Sequence, residues 1–225
     1  MIVAQRKPVE EMKRTLEGYE KVLIVGCGTC VAVCMAGGER EVGILASLLK
    51  MSFRMEGKEV EIGEATVERQ CDKEFMQPLE EKIKNYQAIV SLACGVGIQF
   101  LSELYEDTIV LPGVNTVFLG SNEGEGVWQE RCRACGECVL AETGGICPVT
   151  ICAKGLLNGP CGGTNEGKCE VDKEKDCAWT LIYKRLEKQG KLDHIRKIFP
   201  PKNYRVHTKP ARLVHELYQQ QKGET

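Results

Sequence analysis

The chain has 225 residues, 43% hydrophobic and 28% charged, which suits one large domain or two small ones around an ordinary core. A net charge of −2 excludes a chain-wide nucleic-acid surface, and no apolar run approaches the length of a membrane span. Thirteen cysteines after a charged N-terminal stretch, MIVAQRKPVEEMKRTLEGYE, in which no apolar leader core is visible, argue against a disulfide framework. The expectation is a cytoplasmic protein with metal or redox chemistry.

Val9, Met12, Leu16 and Tyr19 share one helical face, so the spacing predicts a helix over 8–20. KVLIV (21–25) reads as a buried strand, GCGTCVAVCMAGG (26–38) as a small-residue loop, and 39–55 as a helix ending near Gly57. A second strand is expected at 58–62, extended by 66–68 after Gly63. A helix then carries Phe75, Leu79 and Ile83, with Pro78 in its first turn. QAIVSL (87–92) is a third strand, ACGVG (93–97) a tight turn, 98–105 a helix and TIVL (108–111) a fourth strand. This alternation predicts an α/β fold, a three-layer parallel sheet with helices on both faces, over residues 1–112 with the N-terminal helix.

Glycine, asparagine and serine then displace the periodic signal, and 113–128 reads as a linker. Residues 129–177 form a cysteine-rich, loop-rich module holding eight cysteines. Residues 178–225 form a helix, with Asp176 as its expected cap, and a basic tail with a short helix around 210–221. The tail region carries eleven Lys/Arg against four Asp/Glu and all three histidines, His194, His207 and His215. It reads as a solvated face, or as an arm suited to an acidic partner.

Cys132, Cys135 and Cys138 have the C-x2-C-x2-C spacing that wraps one iron–sulfur cubane. The usual ending, a cysteine three residues on followed by proline, is displaced to Cys147-Pro148. The fourth ligand therefore stays open among Cys147, Cys152, Cys161, Cys169 and Cys177. These five suit a second cluster, zinc or buried thiols. Trp128 and Trp179 flank the module and read as shields against water.

Cys27, Cys30 and Cys34 follow the first long strand, and Cys94 follows the third. Loops after parallel strands emerge on one edge, where ligands gather at the topological switch point. The expectation is a 4Fe–4S cluster held by Cys27, Cys30, Cys34 and Cys94, with Cys71 as substitute or bystander. Gly26 and Gly28 begin a dinucleotide fingerprint, but Val31 replaces its third glycine and only Glu61 and Glu64 approximate the ribose acid. NGPCGG (158–163) lacks the Gly-Lys-Ser/Thr ending of a phosphate loop. No histidine occurs before residue 194, which excludes a Cys–His nucleophile pair from both cysteine-rich regions, and no catalytic residue is assigned.

GCGTCVAVCMAGGEREV, ACGVGIQ, CRACGEC, TGGICPVTICAKGLLNGPCGG and GKCEV, in that order, resemble the MetV-type iron–sulfur small subunit of bacterial methylenetetrahydrofolate reductase. That family is related to the methylenetetrahydrofolate reductase C-terminal domain of archaeal and bacterial proteins. The resemblance spans about residues 20–190 and is most specific over 143–171. It implies an electron-transfer subunit with two 4Fe–4S clusters, and a third cluster or zinc as a further option. Electrons would pass from ferredoxin, or from a larger electron-bifurcating complex, to a flavin on a partner TIM-barrel subunit. That partner reduces methylene- to methyl-tetrahydrofolate in a Wood–Ljungdahl-type pathway. A TIM barrel needs roughly 250 residues, and this chain has no eightfold βα pattern, so the folate site would lie on the partner. Two other readings compete: a zinc-stapled docking scaffold without redox role, and a stand-alone redox enzyme with a nucleotide at Gly26–Gly28.

Overall fold

The computed structural model describes residues 1–203 and 211–215. The chain divides into two units, Met1–Glu130 and Arg131–Thr225. The first contains, in order, β1 (Ile2–Arg6), α1 (Val9–Thr15), β2 (Lys21–Cys27), α2 (Cys30–Val33), α3 (Glu39–Met55) and β3 (Glu61–Val67). A 3-10 turn (Glu74–Leu79) leads into α4 (Glu80–Ile83), β4 (Ala88–Ser91), α5 (Gly95–Leu104) and β5 (Ile109–Pro112). β6 (Val114–Gly124) and β7 (Val127–Cys132) follow.

Four strands form a parallel sheet in the order β3-β2-β4-β5. β2 is apolar along its length because both of its faces are covered. Val22 and Ile24 pack with Met12, Leu16, Leu45, Leu49 and Phe53. Their neighbours Leu23 and Val25 pack with Met76, Leu79, Ile83 and Leu101. Alternate side chains thus enter separate cores on opposite faces, which is the expected three-layer arrangement. From β2 the chain crosses one way to β3 and then back past β2 to β4 and β5. The switch point therefore lies between β2 and β4, at their carboxyl ends.

The periodic stripe of α3 behaves as its sequence predicts, burying Val42, Leu45, Ala46, Leu49 and Phe53. The Glu41 carboxylate accepts a 3.1 Å hydrogen bond from the Gly38 N–H, satisfying a donor that the first turn leaves open. Beyond the helix, Gly57 takes φ +71°, a left-handed conformation that glycine enters without steric cost.

Several boundaries differ from expectation. The first helix is shorter, Val9–Thr15, and Gly18 turns the chain with φ +89°. The strand pieces at 58–62 and 66–68 are one strand, β3, running through Gly63. A Cβ on Gly63 would stand 2.0 Å from the Tyr86 hydroxyl, so glycine admits the ring against the sheet. Pro78 lies in the 3-10 turn before α4, a place where its missing N–H is tolerated better than in a continuous helix. ACGVG supplies the cap and first turn of α5, which starts three residues earlier than its periodicity suggests.

The segment expected as a linker, 113–128, is instead largely strand. β1, β6 and β7 form a second, antiparallel sheet, in which Ile2 faces Leu119 and Arg6 faces Val114. Val3, Ala4 and Val114 are buried in the same core as α3. The signal was diluted because this sheet is half exposed and carries Asn115, Gly120, Ser121 and Asn122 between its apolar positions.

The second unit has little regular structure: α6 (Pro148–Ile151), α7 (Ala178–Lys188) and a 3-10 turn at Leu192–Arg196. Its apolar core is small: Trp179, Ile182 and Leu186, joined by Ile146, Leu192 and Ile195. Cys177, not Asp176, caps α7; Asp176 pairs with Lys168 at 2.7 Å. Of the helix expected around 210–221, residues 211–215 have no regular structure and the rest, like His207, lies outside the described residues. No helix among the described residues is long and apolar enough to cross a membrane.

Candidate metal centres

No disulfide joins any of the thirteen cysteines, all of which are described. The first constellation lies at the switch point. Cys27 ends β2, Cys30 opens α2, and Cys94 caps α5 after β4. Cys27 and Cys94 are buried, whereas Cys30 is partly open and Cys71 exposed. Burial pushes the Cys71 thiol above its ordinary value. The charges of Cys27, Cys94 and Cys30, in that order, push it further. The sulfurs of Cys27, Cys94 and Cys30 thus lie within electrostatic reach of Cys71, although the four residues come from three separate connections.

Cys34 has a different environment. Its Sγ lies 3.4 Å from the Ala4 N–H and 3.5 Å from the carbonyls of Ala4 and Val31. Burial pushes this thiol up, against hydrogen bonds from the backbone of Ala4, Cys34 and Ala36. Spacing grouped Cys34 with Cys27, Cys30 and Cys94; the structure buries it in the core cluster that also contains Cys27 and Cys94, with its Sγ against Ala4 of β1.

A buried polar network sets the first constellation. Gln70 is fully buried; its Nε2 donates to the carbonyls of Val25 and Gly26, each at 3.0 Å. Its Oε1 accepts from Ser91 Oγ at 2.6 Å, and Ser91 Oγ accepts from the Ala93 N–H at 3.2 Å. These bonds tie the residues adjoining Cys27, Cys71 and Cys94 into one unit. Sequence reasoning missed the network, although Gln70 beside a cysteine after an apolar strand was its available signal. Gly37 closes the same region: its carbonyl accepts the Cys27 N–H at 2.8 Å, and a Cβ there would stand 1.9 Å from the Leu92 carbonyl oxygen.

The glycines after β2 serve this packing. A Cβ on Gly26 would meet Thr66 and Val42 at 2.7 Å, and the following helix is only four residues long. The longer α3 has the Glu41 carboxylate on its first turn, which would repel a phosphate there. These features give the nucleotide reading no support.

In the second unit, Cys132, Cys135 and Cys138 lie on a tight loop in which Ala134 and Gly136 take φ +50° and +74°. The Ala134 N–H donates to Cys132 Sγ at 3.3 Å. Cys147 caps α6 and accepts from the Thr150 hydroxyl at 3.5 Å. Cys152, Cys161, Cys169 and Cys177 line one small void, with Trp179 on its wall. Trp128 lies elsewhere, on an apolar cavity of about 700 Å³ in the first unit beside Cys34 and Phe118. Burial pushes the Cys177 thiol up. The Thr180 N–H and hydroxyl, the Thr164 hydroxyl and the Trp179 N–H outweigh that, and it falls below its ordinary value. Among the described residues, no three Cys, His, Asp or Glu side chains already stand at ion-binding spacing.

The start of the basic tail folds onto its own unit. Lys197 reaches Glu142 at 2.5 Å, and Lys202 donates to the Glu137 carbonyl. His194 Nδ1 stands 3.3 Å from Glu142 without hydrogen-bond geometry.

The chain is thus an α/β parallel-sheet protein with thiols gathered at the sheet's switch point and a second, cysteine-rich unit. Residues 111–205 match the family model described as methylene-tetrahydrofolate reductase C terminal. The match covers β6, β7 and all eight cysteines from Cys132 to Cys177, and gives that stretch its similarity to methylenetetrahydrofolate reductase. No curated protein and no solved structure matches the chain.

Proposed function

We propose that this chain is an iron–sulfur electron-transfer subunit of a methylenetetrahydrofolate reductase system, working in one-carbon metabolism. The reading rests on Cys27, Cys30 and Cys94 standing on the loops at the switch point, with Cys71 within their electrostatic reach, in a chain whose second unit has methylenetetrahydrofolate reductase similarity. Four thiols from short loops, with backbone N–H groups nearby, suit the ligand chemistry of a 4Fe–4S cluster. Such a cluster, when bound, supplies one-electron transfer.

The chain's own residues would do the rest. Cys27, Cys30, Cys71 and Cys94 hold the first group, and Cys71 takes the position that spacing assigned to Cys34. The apolar surroundings of Cys27 and Cys94 limit water, and the Gln70 network fixes the loops. Cys132, Cys135 and Cys138 hold a second group, with Cys147 as the fourth ligand. The partner is a flavin-bearing catalytic subunit that carries the folate site, and the donor is ferredoxin or a larger electron-bifurcating complex.

Anaerobic purification, iron and sulfide analysis, and EPR of the reduced chain test this reading. Cys135→Ala should remove one cluster signal and electron flow to the partner's flavin, with the first unit still folded. A chain purified anaerobically without iron would overturn it.

A further inference from the structure

Ile44, Leu48, Met51 and Met55 form an apolar row on α3 that is 36%, 39%, 57% and 88% exposed. Their spacing of four, three and four residues keeps them on one face of the helix over roughly 16 Å, at 1.5 Å per residue. This is the seam spacing at which a second helix packs. The other stripe of α3, Val42 to Phe53, is already buried in the core. Ile44 and Leu48 also line the apolar cavity of about 700 Å³, with Val117, Phe118, Val127 and Trp128 on its other wall. Val117 and Val127 are themselves exposed. Row and cavity thus form one continuous groove between α3 and the β6–β7 hairpin.

Charge decides what the groove suits. Residues 1–130 carry 13 Lys/Arg against 21 Asp/Glu, a balance of −8. The rim of the groove runs against that balance. Arg40, Ser47 and Arg54 recur every seven residues along the solvent side of the row, and Arg6 lines the cavity. The neighbouring lysines are neutralised: Lys7 by Glu11, Lys50 by Glu64, and Lys13 and Lys58 by Glu56. Arg6, Arg40 and Arg54 enter no ion pair among the described residues. Glu41, which also lines the cavity, is buried and accepts the Gly38 N–H. Glu125, at the β6–β7 turn, places an acid on the opposite side, so the basic margin belongs to α3. A second copy of this face would bring two sets of unpaired arginines together, and like charge also opposes the chain's own basic tail. A flat bilayer does not reach into the cavity between helix and hairpin. A small molecule held in the cavity leaves Met51 and Met55, which do not line it, uncovered.

We propose that this groove is the docking site for an amphipathic helix of a partner protein, one with apolar residues at heptad spacing and Asp or Glu along the margin that meets Arg40 and Arg54. The apolar stripe of that helix covers Ile44, Leu48, Met51 and Met55, and its acids pair with the arginines. The apolar row supplies most of the affinity, while the arginines set the orientation and speed the encounter. The assignment does not rest on the metal chemistry of the proposed function.

The test uses the full chain and a fluorescein-labelled, three-heptad helical peptide with Leu at both seam positions and Glu on its margins, beside a twin peptide with Lys in place of Glu. Fluorescence anisotropy should show the Glu peptide binding and the Lys peptide at least about tenfold weaker. Met51→Glu should weaken the Glu peptide by about tenfold or more, the scale of a buried apolar anchor. Arg40→Glu combined with Arg54→Glu should reverse the preference between the two peptides. All three substitutions are at exposed positions, and circular dichroism checks that the variants fold. Equal binding of both peptides by the wild type, or unchanged affinity in Met51→Glu, would overturn the assignment. So would a wild-type dimer in sedimentation that Met51→Glu dissociates, which makes a second copy the occupant. Binding to phosphatidylserine vesicles that Met51→Glu abolishes, with no peptide binding, would overturn it in favour of a membrane surface.

Discussion

Ser91 Oγ donates a 2.6 Å hydrogen bond to Gln70 Oε1, joining the end of β4 to the residue before Cys71. Through Gln70 Nε2 the same link continues to Val25 and Gly26, just before Cys27. Gln70→Leu would leave two buried carbonyls without this donor and Ser91 without its acceptor. The expected loss is about 3 kcal/mol, since each unsatisfied buried group costs about 1–3 kcal/mol. Urea unfolding should show a lower midpoint, and iron retention at the switch point should fall with it.

Cys71 and Cys34 should respond in opposite ways. Cys71→Ser removes a thiol within electrostatic reach of Cys27, Cys94 and Cys30, and on the proposed ligand set should lower iron per chain by one cluster. Cys34→Ala removes a sulfur packed on Ala4, and should leave iron unchanged while costing about 1 kcal/mol of stability. Metal analysis beside thermal unfolding distinguishes the two; equal iron loss in both variants would contradict this placement.

How much of this was legible beforehand varies with the physics involved. β2 and β4 are covered on both faces, so their continuous apolar runs marked them clearly. α3 showed its stripe at helical spacing. β1 and β6 did not, because their pairing joins residues more than a hundred positions apart and leaves one sheet face open. That omission bears on Cys34. Spacing brings Cys34 close to Cys30, while its contact with Ala4 of β1 was not legible. Likewise, the eight cysteines of the second unit were visible as a group, while the subset around one void depends on turns that no short-range pattern specifies.

Gly37→Ala should be poorly tolerated. The new methyl group would lie against the Leu92 carbonyl, which is backbone and cannot rotate away. A cost of about 1–3 kcal/mol is expected, as for other overpacked sites. Because Gly37 also accepts the Cys27 N–H, differential scanning calorimetry should show the loss together with weaker metal retention.

Acid should loosen the segment that follows α7. Lys197 holds the Glu142 carboxyl below its ordinary value of 4.5. The contact therefore contributes fully above that value and is lost as pH falls through the lower, folded value. Amide exchange over 192–199, corrected for intrinsic pH dependence, should rise as pH is lowered through that range. Glu142→Gln should produce the same rise at neutral pH; unchanged protection in that variant would show the pair to be unimportant.

The switch-point thiols also have a consequence in time. Cys27, Cys71 and Cys94 are distributed over 68 residues and reach the same sheet edge only after β2, β3 and β4 have aligned. Parallel pairing of distant strands is a slow step in folding. Cys152 to Cys177 span only 26 residues, so their loops can close with little entropy loss. During synthesis the two cysteine groups would thus mature on different clocks, the short-range one by local closure and the long-range one last, once the sheet is complete.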